Sequence, residues 1–448
     1  MTRNVLVLGA GLVARPLLRY LLTQRQLQVC VATNDAPRAR LMMGEHPRGR
    51  VSHLDVHDAA ALAALVDEAD AVVSLLPSEL NVLVARTAIA RRKPMVNTSY
   101  AAPEMLALDQ EATAAGVLLL NEMGLDPGID HMSAAATVRR LKFAGGTIVN
   151  FVSACGGFPA PDANTNPWGY KFSWSPRGVM LAGRRPARFL RGGIEVPVPG
   201  NEIFANAWKL EVEGEGVFDI YPNTDSLRYI GPYGLDGAEG VFRGTLRYPG
   251  WCATMHAAVR LGLFDIEPRE WPEGTTYADF TSRLLPGRGS VLRRAAEYLD
   301  LSDDSDVLAR LEWAGLFSDR PLPERQAAPI DVFGNRLVKL MMYQPGERDQ
   351  VLLKHIFTVR YPDGSREEVR SRLVELGDPW GDTAMAKTVS LTAGIGTRLI
   401  VEKGIQAVGV QIPTLREIYE PVLEELGERG IALREVHIKS FRGPFASP

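Results

Sequence analysis

The order of apolar and polar positions divides the chain into two parts. In residues 1–125, short apolar runs at 5–8, 29–32 and 71–75 predict buried strands, and they alternate with stretches that predict helices. Strands that alternate with helices at this spacing indicate a parallel, doubly wound α/β sheet. The remaining elements predicted in this part are helices at 16–22, 59–68, 83–92 and 101–115 and strands at 94–97 and 117–121.

The rhythm changes after residue 126. A predicted helix at 132–142 leads into segments rich in Gly, Pro and aromatic residues, which suit a mixed sheet whose loops build a pocket. A long helix of small residues near 384–399 is expected to pack back on the first part. We therefore expect an α/β domain at 1–125, a second α/β domain with the substrate loops at 126–255 and 331–448, and a small helical insert at 256–330.

A glycine fingerprint follows the first predicted strand. Gly9, Gly11 and Ala14 form the pattern GxGxxA, which lies between a strand and a helix inside a βαβ unit. The first glycine permits a tight turn, the second lets the backbone approach a pyrophosphate, and the alanine allows close helix packing. The helix N-terminus then offers free N–H groups to the phosphates. The first domain is therefore predicted to be a Rossmann dinucleotide-binding domain, with Leu12 and Val13 also in contact with the cofactor.

The end of the second strand decides between the two nicotinamide cofactors. An acidic side chain there binds the ribose 2′-hydroxyl and repels a 2′-phosphate, whereas arginine attracts that phosphate. Asn34 and Asp35 favour NAD, but Arg38 and Arg40 lie close by. NAD is the expected cofactor, and NADP stays open.

Composition narrows the class of protein. The 448 residues carry a formal net charge of -3 and are 46% apolar, which fits a globular chain with no bulk attraction for nucleic acid or anionic membranes. Three distant cysteines favour a reducing compartment, and no spacing typical of a zinc site or other metal site occurs. The chain opens on a strand rather than on a signal-peptide pattern and has no apolar run of about 18 residues. We expect a cytoplasmic protein.

Three segments follow strands at the edge where ligands bind to an open parallel sheet. They are residues 74–77, 97–100 and 121–132, which include Ser74, Tyr100 and Asp126. Simpler roles remain open for several of them: Tyr100 at an interface, Asp126 and Asp130 as helix caps, His131 as a packed helix residue, and Cys155 as a small apolar side chain.

Two arginines flank a short segment in the second domain. Arg243 and Arg247 enclose Gly244, Thr245 and Leu246, and arginine binds carboxylates through two parallel hydrogen bonds. The pair suits an anionic substrate, while ion pairing with a surface acid is an equally open interpretation.

Read together, these segments resemble the glutamate-forming saccharopine dehydrogenases, also called saccharopine reductases, nearly from end to end. The most specific carriers of the resemblance are "NTSYAAPEM", "NEMGLDPGIDHM", "CGGFPAPDANTNPWGYKFSWSP" and "RGTLRYPGW". The resemblance implies oxidation of saccharopine, a secondary amine that joins lysine to glutarate, by hydride transfer to a nicotinamide. Hydrolysis of the imine then yields glutamate and 2-aminoadipate 6-semialdehyde. It also implies a homodimer formed through the second domain.

The resemblance assigns roles to individual residues of this chain. A tyrosine, an aspartate and a cysteine are thought to support the chemistry in the family, and they match Tyr100, Asp126 and Cys155. The expected substrate contacts are Ser99, Tyr100, Thr224, Thr245, Leu246 and Arg247. The expected cofactor contacts are Gly9, Gly11, Leu12, Val13, Ala14, Asn34, Asp35, Asp55, Ser74, Leu75, Leu76, Thr98, Leu125 and Asp126.

One position departs from the family pattern. Where the family usually has Tyr-Pro-Asn-Arg-Asp-Ser, this chain has Thr224 in place of the arginine that is expected to bind a substrate carboxylate. A lost charge-assisted hydrogen bond of this kind is worth about 1.5–3 kcal/mol. Either Arg228 reaches back and binds that carboxylate in place of the missing arginine, or the substrate is a related carboxylated polyamine or opine-like amine with one carboxylate fewer. A protein that senses NAD(H) without turnover is the third hypothesis.

Overall fold

A computed structural model describes residues 2–439 of the chain. The last residues of the second expected domain, 440–448, lie outside this range. The strands are β1 (Arg3–Leu8), β2 (Leu27–Thr33), β3 (Gly49–His53), β4 (Ala71–Ser74), β5 (Met95–Asn97), β6 (Leu118–Leu120), β7 (Thr147–Pro159), β8 (Ala187–Arg191), β9 (Ile194–Val198), β10 (Trp208–Val212), β11 (Gly216–Pro222), β12 (Gly240–Arg247), β13 (Arg269–Glu270), β14 (Gln326–Ala327), β15 (Asp349–Arg360), β16 (Arg366–Leu376), β17 (Gly409–Gln411) and β18 (Arg434–Lys439).

The helices follow the same chain order. They are α1 (Ala14–Thr23), α2 (Ala36–Met43), α3 (Ala59–Asp67), α4 (Asn81–Ala90), α5 (Pro103–Leu106), α6 (Asp109–Ala115), α7 (Ile129–Phe143), α8 (Pro176–Ala182), α9 (Ile230–Tyr233), α10 (Trp251–Arg260), α11 (Tyr277–Leu284), α12 (Val291–Leu299), α13 (Asp306–Trp313), α14 (Pro329–Leu340), α15 (Ala384–Val401) and α16 (Arg416–Glu428). Short 3-10 helices occupy Ser78–Leu80, Pro161–Ala163, Gly200–Glu202 and Ser226–Tyr229.

The first compact unit is built on a seven-stranded sheet. This unit takes in the residues up to Ile148, Tyr229–Gly237 and the described residues from Thr358 onward. Its strands lie in the order β17-β6-β5-β4-β1-β2-β3, and the paired neighbours run parallel. The order reverses at β1, which pairs with β2 on one side and β4 on the other, so a ligand crevice is expected between β1 and β4. The doubly wound parallel sheet predicted from the sequence is confirmed.

Two helices that are distant in sequence pack together within the first unit. Helix α15 lies along α1, where the Ser390 hydroxyl donates a hydrogen bond to the Val13 carbonyl and the Arg398 Nε donates one to the Tyr20 hydroxyl at 2.8 Å. A β-carbon on Gly394 would lie 2.7 Å from the Tyr20 ring, so small residues allow this close approach. The strands β16 and β18 also belong to this unit and pair antiparallel, with Val369 opposite His437.

The second compact unit contains a mixed sheet. It takes in Val149–Arg228 and Ala238–Phe357, with strand order β10-β11-β12-β7-β15. Strand β8 pairs with β12, and β9 pairs with β8. Strand β12 runs parallel to β7 and antiparallel to β11. The helices α11, α12 and α13 lie between Tyr277 and Trp313, within the stretch that was expected to form a helical insert.

The structure differs from the predicted elements in identifiable places. The helix predicted at 101–115 begins only at Pro103, because a residue that precedes a proline disfavours helical backbone and Ala102 is extended. It is also divided at Ala107 and Leu108 into α5 and α6. The first unit continues past the expected boundary at 125, since α7 packs against α16 and α9 there. Strands β3 and β17 were not predicted. Among the described residues, no helix combines the length and apolarity needed to span a bilayer.

Candidate active site

The glycine fingerprint and the end of β4 lie next to each other in the first unit. Gly9 follows β1 with a φ of +97°, and a β-carbon there would lie 3.3 Å from the Leu75 carbonyl oxygen. Ser74, the last residue of β4, is buried and donates a hydrogen bond to Asn81 at 2.7 Å. Leu75 and Leu76 are half-buried. The reversal of strand order therefore brings two expected cofactor segments to one edge of the sheet.

Open space surrounds the second glycine of the fingerprint. A β-carbon on Gly11 would meet no protein atom within 4 Å, so the packing of the chain does not require glycine at this position. Helix α1 begins at Ala14, has no side-chain hydrogen bond at its N-terminus and carries no acidic residue in its first turn. An uncapped helix start beside open space is the geometry that accepts a phosphate. The residues present therefore fit a dinucleotide.

The expected ribose-binding residues lie at the ends of β2 and β3. Asn34 and Asp35 are exposed after β2, and one Asp35 carboxylate oxygen accepts the Arg38 backbone N–H at 3.1 Å, which caps α2. Asp55 follows β3, is exposed and accepts the His57 N–H at 3.0 Å. Both carboxylates are negatively charged groups near the edge at which Gly9 and Gly11 lie.

Tyr100 and Asp126 come together in the first unit. The Tyr100 hydroxyl donates a short hydrogen bond to the Asp126 carboxylate, and both side chains are half-buried. Ser99 lies before Tyr100, and its N–H donates to the Asn97 side chain at 3.0 Å. Asn97 in turn donates to Asn121 at 2.6 Å, which ties the segments after β5 and β6 together. The structure thus brings two of the three residues with expected catalytic roles into one hydrogen-bonded pair.

The neighbouring residues of this segment have defined positions. Leu125 is buried, and Thr98 is half-buried beside Gly124. Asp130 lies in the first turn of α7 and accepts the Gly128 N–H at 2.7 Å, so it supports the start of the helix. His131 is fully buried and contacts the Tyr233 hydroxyl and the carboxylate of Glu122.

The expected substrate residues of the second unit share one face of its sheet. Thr245 on β12 pairs with Cys155 on β7 and with Tyr221 on β11. Arg247 lies two residues beyond Thr245 and therefore points to the same face, whereas Leu246 points to the other face. Cys155 is buried and belongs to no disulfide. The Cys155, Thr245 and Arg247 side chains are thus brought together by strand register.

Arg247 is a buried cation without an anionic partner in residues 2–439. It is 4% exposed, its Nη1 donates to the Leu246 carbonyl at 2.7 Å, and its Nε has no hydrogen-bond partner. Asp219 lies opposite it on β11, but the Asp219 carboxylate is bound to Lys209 and to the Gly250 N–H. Isolated buried charges are costly, so this guanidinium is suited to an incoming carboxylate.

Aromatic side chains enclose the Arg247 guanidinium. Its central carbon lies 5.0 Å from the centre of the Tyr170 ring and 5.9 Å from that of Trp251. Burial raises the pKa of Tyr170 to about 12, so the phenol is neutral at pH 7. Burial likewise raises the pKa of the nearby Cys252 thiol. Neutral neighbours leave the positive charge of Arg247 uncompensated.

Thr224 has an unusual backbone and an unpaired hydroxyl. Its φ is +54°, which is uncommon for a β-branched residue, and its buried Oγ1 has no hydrogen-bond partner within the described residues. The adjacent Asp225 is paired with Arg188 at 2.6 Å. Arg228 lies in the short 3-10 helix that follows. Arg243 is buried, and its backbone N–H donates to Ser226.

Three residues that were not singled out from the sequence contact these side chains, one in the first unit and two in the second. Glu122 contacts the segment around Tyr100, and Tyr170 and Trp251 enclose Arg247. The sequence held a signal for each of them. Glu122 is an acidic residue directly after a predicted buried strand, and Tyr170 and Trp251 are aromatic residues in the motifs that carry the family resemblance.

Comparisons with known proteins identify the family of the chain. The saccharopine dehydrogenase NADP binding domain matches residues 5–120, and the saccharopine dehydrogenase C-terminal domain matches residues 124–431. The chain is 36% identical to saccharopine dehydrogenase (NADP(+), L-glutamate-forming) of Schizosaccharomyces pombe, over 96% of this chain and 98% of the relative. It is 35% identical to the mitochondrial alpha-aminoadipic semialdehyde synthase of Mus musculus, over 96% of this chain and 47% of that longer protein.

A solved structure agrees with these matches. The apo saccharopine dehydrogenase (L-Glu forming) of Saccharomyces cerevisiae superposes with a TM-score of 0.86 at 34% identity, covering 97% of this chain and 100% of that chain. Its fold confirms the α/β class expected from the sequence. The family expected from the sequence motifs is confirmed, and the chain therefore belongs to the saccharopine dehydrogenase family of nicotinamide-dependent oxidoreductases.

Proposed function

We propose that this chain oxidises the secondary amine of saccharopine with a nicotinamide cofactor and releases L-glutamate and 2-aminoadipate 6-semialdehyde, or catalyses the reverse reduction. Relatives named saccharopine dehydrogenase (NADP(+), L-glutamate-forming) match the chain at nearly full length. The observation that carries the proposal is Arg247, a buried arginine with no carboxylate partner among the described residues, on the same sheet face as Cys155 and Thr245. Such a site favours a substrate that brings its own carboxylate.

The proposed cofactor contacts follow from the first unit. Gly9, Gly11 and the start of α1 would hold the pyrophosphate, because the space beside Gly11 is open and no side chain caps the helix start within the described residues. Leu12, Val13 and Ala14 complete this turn, and Ser74, Leu75, Leu76, Thr98 and Leu125 would line the nicotinamide end. A bound nicotinamide would supply a hydride acceptor for the carbon beside the substrate nitrogen.

NAD is the proposed cofactor. The carboxylates of Asp35 and Asp55 would repel a 2′-phosphate at the end of β2 and β3, and Asn34 supplies no positive charge. The fungal relatives are named for NADP(+). A higher kcat/KM with NADP than with NAD would contradict the proposal.

Tyr100 and Asp126 are proposed to activate the water that attacks the imine. Loss of hydride leaves a C=N bond, water adds to its carbon, and the C–N bond then breaks to release the amine of glutamate. The Tyr100 hydroxyl already donates to the Asp126 carboxylate, so it can take a proton from water while it passes its own proton to Asp126. Cys155 is proposed to support the chemistry as well, as the resemblance implies.

A related substrate is the second candidate. Thr224 has a buried hydroxyl with no hydrogen-bond partner in residues 2–439, at the position where the family usually has an arginine. A neutral donor suits a substrate with one carboxylate fewer. A carboxylated polyamine or an opine-like amine meets this description. Thr224 would then bind a neutral polar group, while Arg247 would keep its carboxylate.

The test is an absorbance assay of NADH and NADPH formation at mildly alkaline pH. Saccharopine is compared with other secondary-amine amino acids and carboxylated polyamines, and the released amino acid is identified. Turnover of saccharopine with release of glutamate supports the first proposal, and turnover only of the substrates with fewer carboxylates supports the second. Binding of NADH without turnover of any amine would contradict both proposals.

We also propose a cytoplasmic homodimer. The three cysteines are buried and free of disulfides, which suits a reducing compartment. Strand β18 pairs only with β16 among the described strands and has exposed side chains, including Val436 at 59%, so one of its edges is available to a second copy. Light scattering after size-exclusion chromatography would measure the mass, and a monomer at micromolar concentration would contradict the dimer.

A further inference from the structure

Glu122 combines a strained backbone with a fully buried carboxyl group. Its φ is +63°, and the side chain is 0% exposed. A non-glycine residue in the left-handed region costs about 1–3 kcal/mol and persists where the surrounding structure demands it. Burial of a carboxylate is also costly unless donors surround it. Two costs at one residue point to a specific use of this side chain.

The backbone and the side chain of Glu122 hold the residues on both sides of Tyr100. The Glu122 N–H donates to the Ser99 carbonyl at 3.2 Å, and the Ala101 N–H donates to Glu122 Oε1 at 2.9 Å. Tyr100 lies between these two bonds. Met123, the next residue, also donates its N–H to the Asn97 carbonyl at 2.9 Å. The conformation of the Tyr100 segment is therefore set from the segment that carries Asp126.

A second set of contacts holds the other oxygen of the Glu122 carboxylate. The Tyr229 hydroxyl donates to Oε2 at 3.0 Å, and Nε2 of His131 lies 2.7 Å from the same oxygen. His131 is stacked on the Tyr229 ring, with 4.7 Å between the ring centres, and its Nδ1 contacts the Tyr233 hydroxyl. These four residues belong to the first unit and are each at most 4% exposed.

We infer that Glu122 is a positioning residue, which fixes the Tyr100 hydroxyl on the Asp126 carboxylate and is itself held by Tyr229 and His131. The inference rests on the proposed roles of Tyr100 and Asp126. The hydroxyl must meet both Asp126 and the attacking water, and small displacements in such geometry have large kinetic effects. Glu122 touches no reacting atom in this scheme and acts through Tyr100.

The first experiment is a double-mutant cycle with Glu122→Gln and Tyr100→Phe. Glutamine keeps the size of the side chain but brings an amide N–H₂ to the Tyr229 and His131 side. We expect kcat to fall by about 100-fold, with the cofactor dissociation constant changed less than about twofold. In the Tyr100→Phe background the same change should lower kcat by less than about threefold. Effects that simply multiply would overturn the inference.

The second readout is hydrogen exchange of the Ala101 amide, which does not depend on activity. Glu122→Gln should accelerate exchange in the peptide that contains residues 98–102, and unchanged exchange there would also overturn the inference. Tyr229→Phe is a milder variant that removes one donor, and it should accelerate the same amide if Glu122→Gln does not fold. If the wild-type chain oxidises no amine, the proposed function fails, while the exchange result still decides the role of Glu122.

Tyr361→Phe is the matched control. The Tyr361 hydroxyl donates to the Glu367 carboxylate at 2.6 Å, so this variant removes the same kind of tyrosine–carboxylate bond from the β15–β16 hairpin. We expect kcat and the exchange of the 98–102 peptide to equal those of the wild type. An equal effect of Tyr361→Phe and Tyr229→Phe on that peptide would show general destabilisation and overturn the inference.

Discussion

Replacement of Arg247 by methionine should lower kcat/KM for the substrate without lowering the stability of this chain. The guanidinium is 4% exposed, makes one hydrogen bond to the Leu246 carbonyl and has no carboxylate partner in the described residues. If a substrate carboxylate completes the site, the methionine variant loses a charge-assisted contact. That contact is worth about 1.5–3 kcal/mol, which corresponds to a fall in kcat/KM of about 10- to 150-fold.

The stability of the same variant follows from the cost of the buried charge. Methionine removes a cation whose desolvation costs several kcal/mol, and it forfeits one hydrogen bond and contacts with two aromatic rings. The lost hydrogen bond is worth about 1 kcal/mol and each cation–π contact about 1–2 kcal/mol. The free energy of unfolding should therefore stay level or rise. Urea unfolding followed by fluorescence measures it, and initial rates with varied amine measure kcat/KM.

Arg294→Met is the matched control for this prediction. Arg294 is 9% exposed and donates to the Ser282 hydroxyl and to the carbonyls of Ser282, Leu285 and Pro286. Its loss leaves buried acceptors unsatisfied and should lower the free energy of unfolding by about 2–4 kcal/mol, with kcat/KM unchanged. If Arg247→Met were as destabilising as Arg294→Met and left kcat/KM intact, Arg247 would be a structural arginine and the reasoning would be refuted.

Three further predictions follow from other sites. Gly11→Ala should leave the unfolding free energy within about 0.5 kcal/mol, because its β-carbon meets open space, but should weaken cofactor binding about tenfold or more; Gly9→Ala should cost about 1–2 kcal/mol because of its φ of +97°. Equal stability of the two variants would contradict this. Burial raises the pKa of Glu347, but the Gln344 N–H and Lys171 outweigh it and hold that pKa below its usual value. The contribution of the carboxylate to stability is therefore present above the unfolded-state pKa of about 4.3 and is lost as the pH falls through the folded-state pKa. The urea midpoint of Glu347→Gln should therefore depend less on pH over that range than the midpoint of the wild type does. Thr224→Arg should lower the KM of saccharopine about tenfold if a carboxylate approaches this position, and an unchanged KM would count against that.

Elements with a strong local pattern were predictable from the sequence, and weakly patterned ones were not. Strand β1 contains an apolar run that leads into a glycine fingerprint. Its strand conformation and its place before the dinucleotide-binding turn could therefore be predicted. Strands β3 and β17 were missed because both lie at edges of the sheet, where β3 has no buried residue and β17 has one. Edge strands bury one side, so they lack the apolar run that marks a central strand.

The Rossmann fold of the first part, the family and the residues with candidate chemistry could be predicted from the amino-acid sequence, because they depend on local patterns and short motifs. Three features depend on the tertiary structure: Tyr100 binds Asp126, Asp219 is paired with Lys209, and Arg247 has no anionic partner among residues 2–439. Hydrogen bonds between residues far apart in sequence depend on how strands pair and helices pack. That geometry also decides whether a buried charge has an ionic partner. A sequence motif identifies the arginine, but it does not show which residues surround it in the fold.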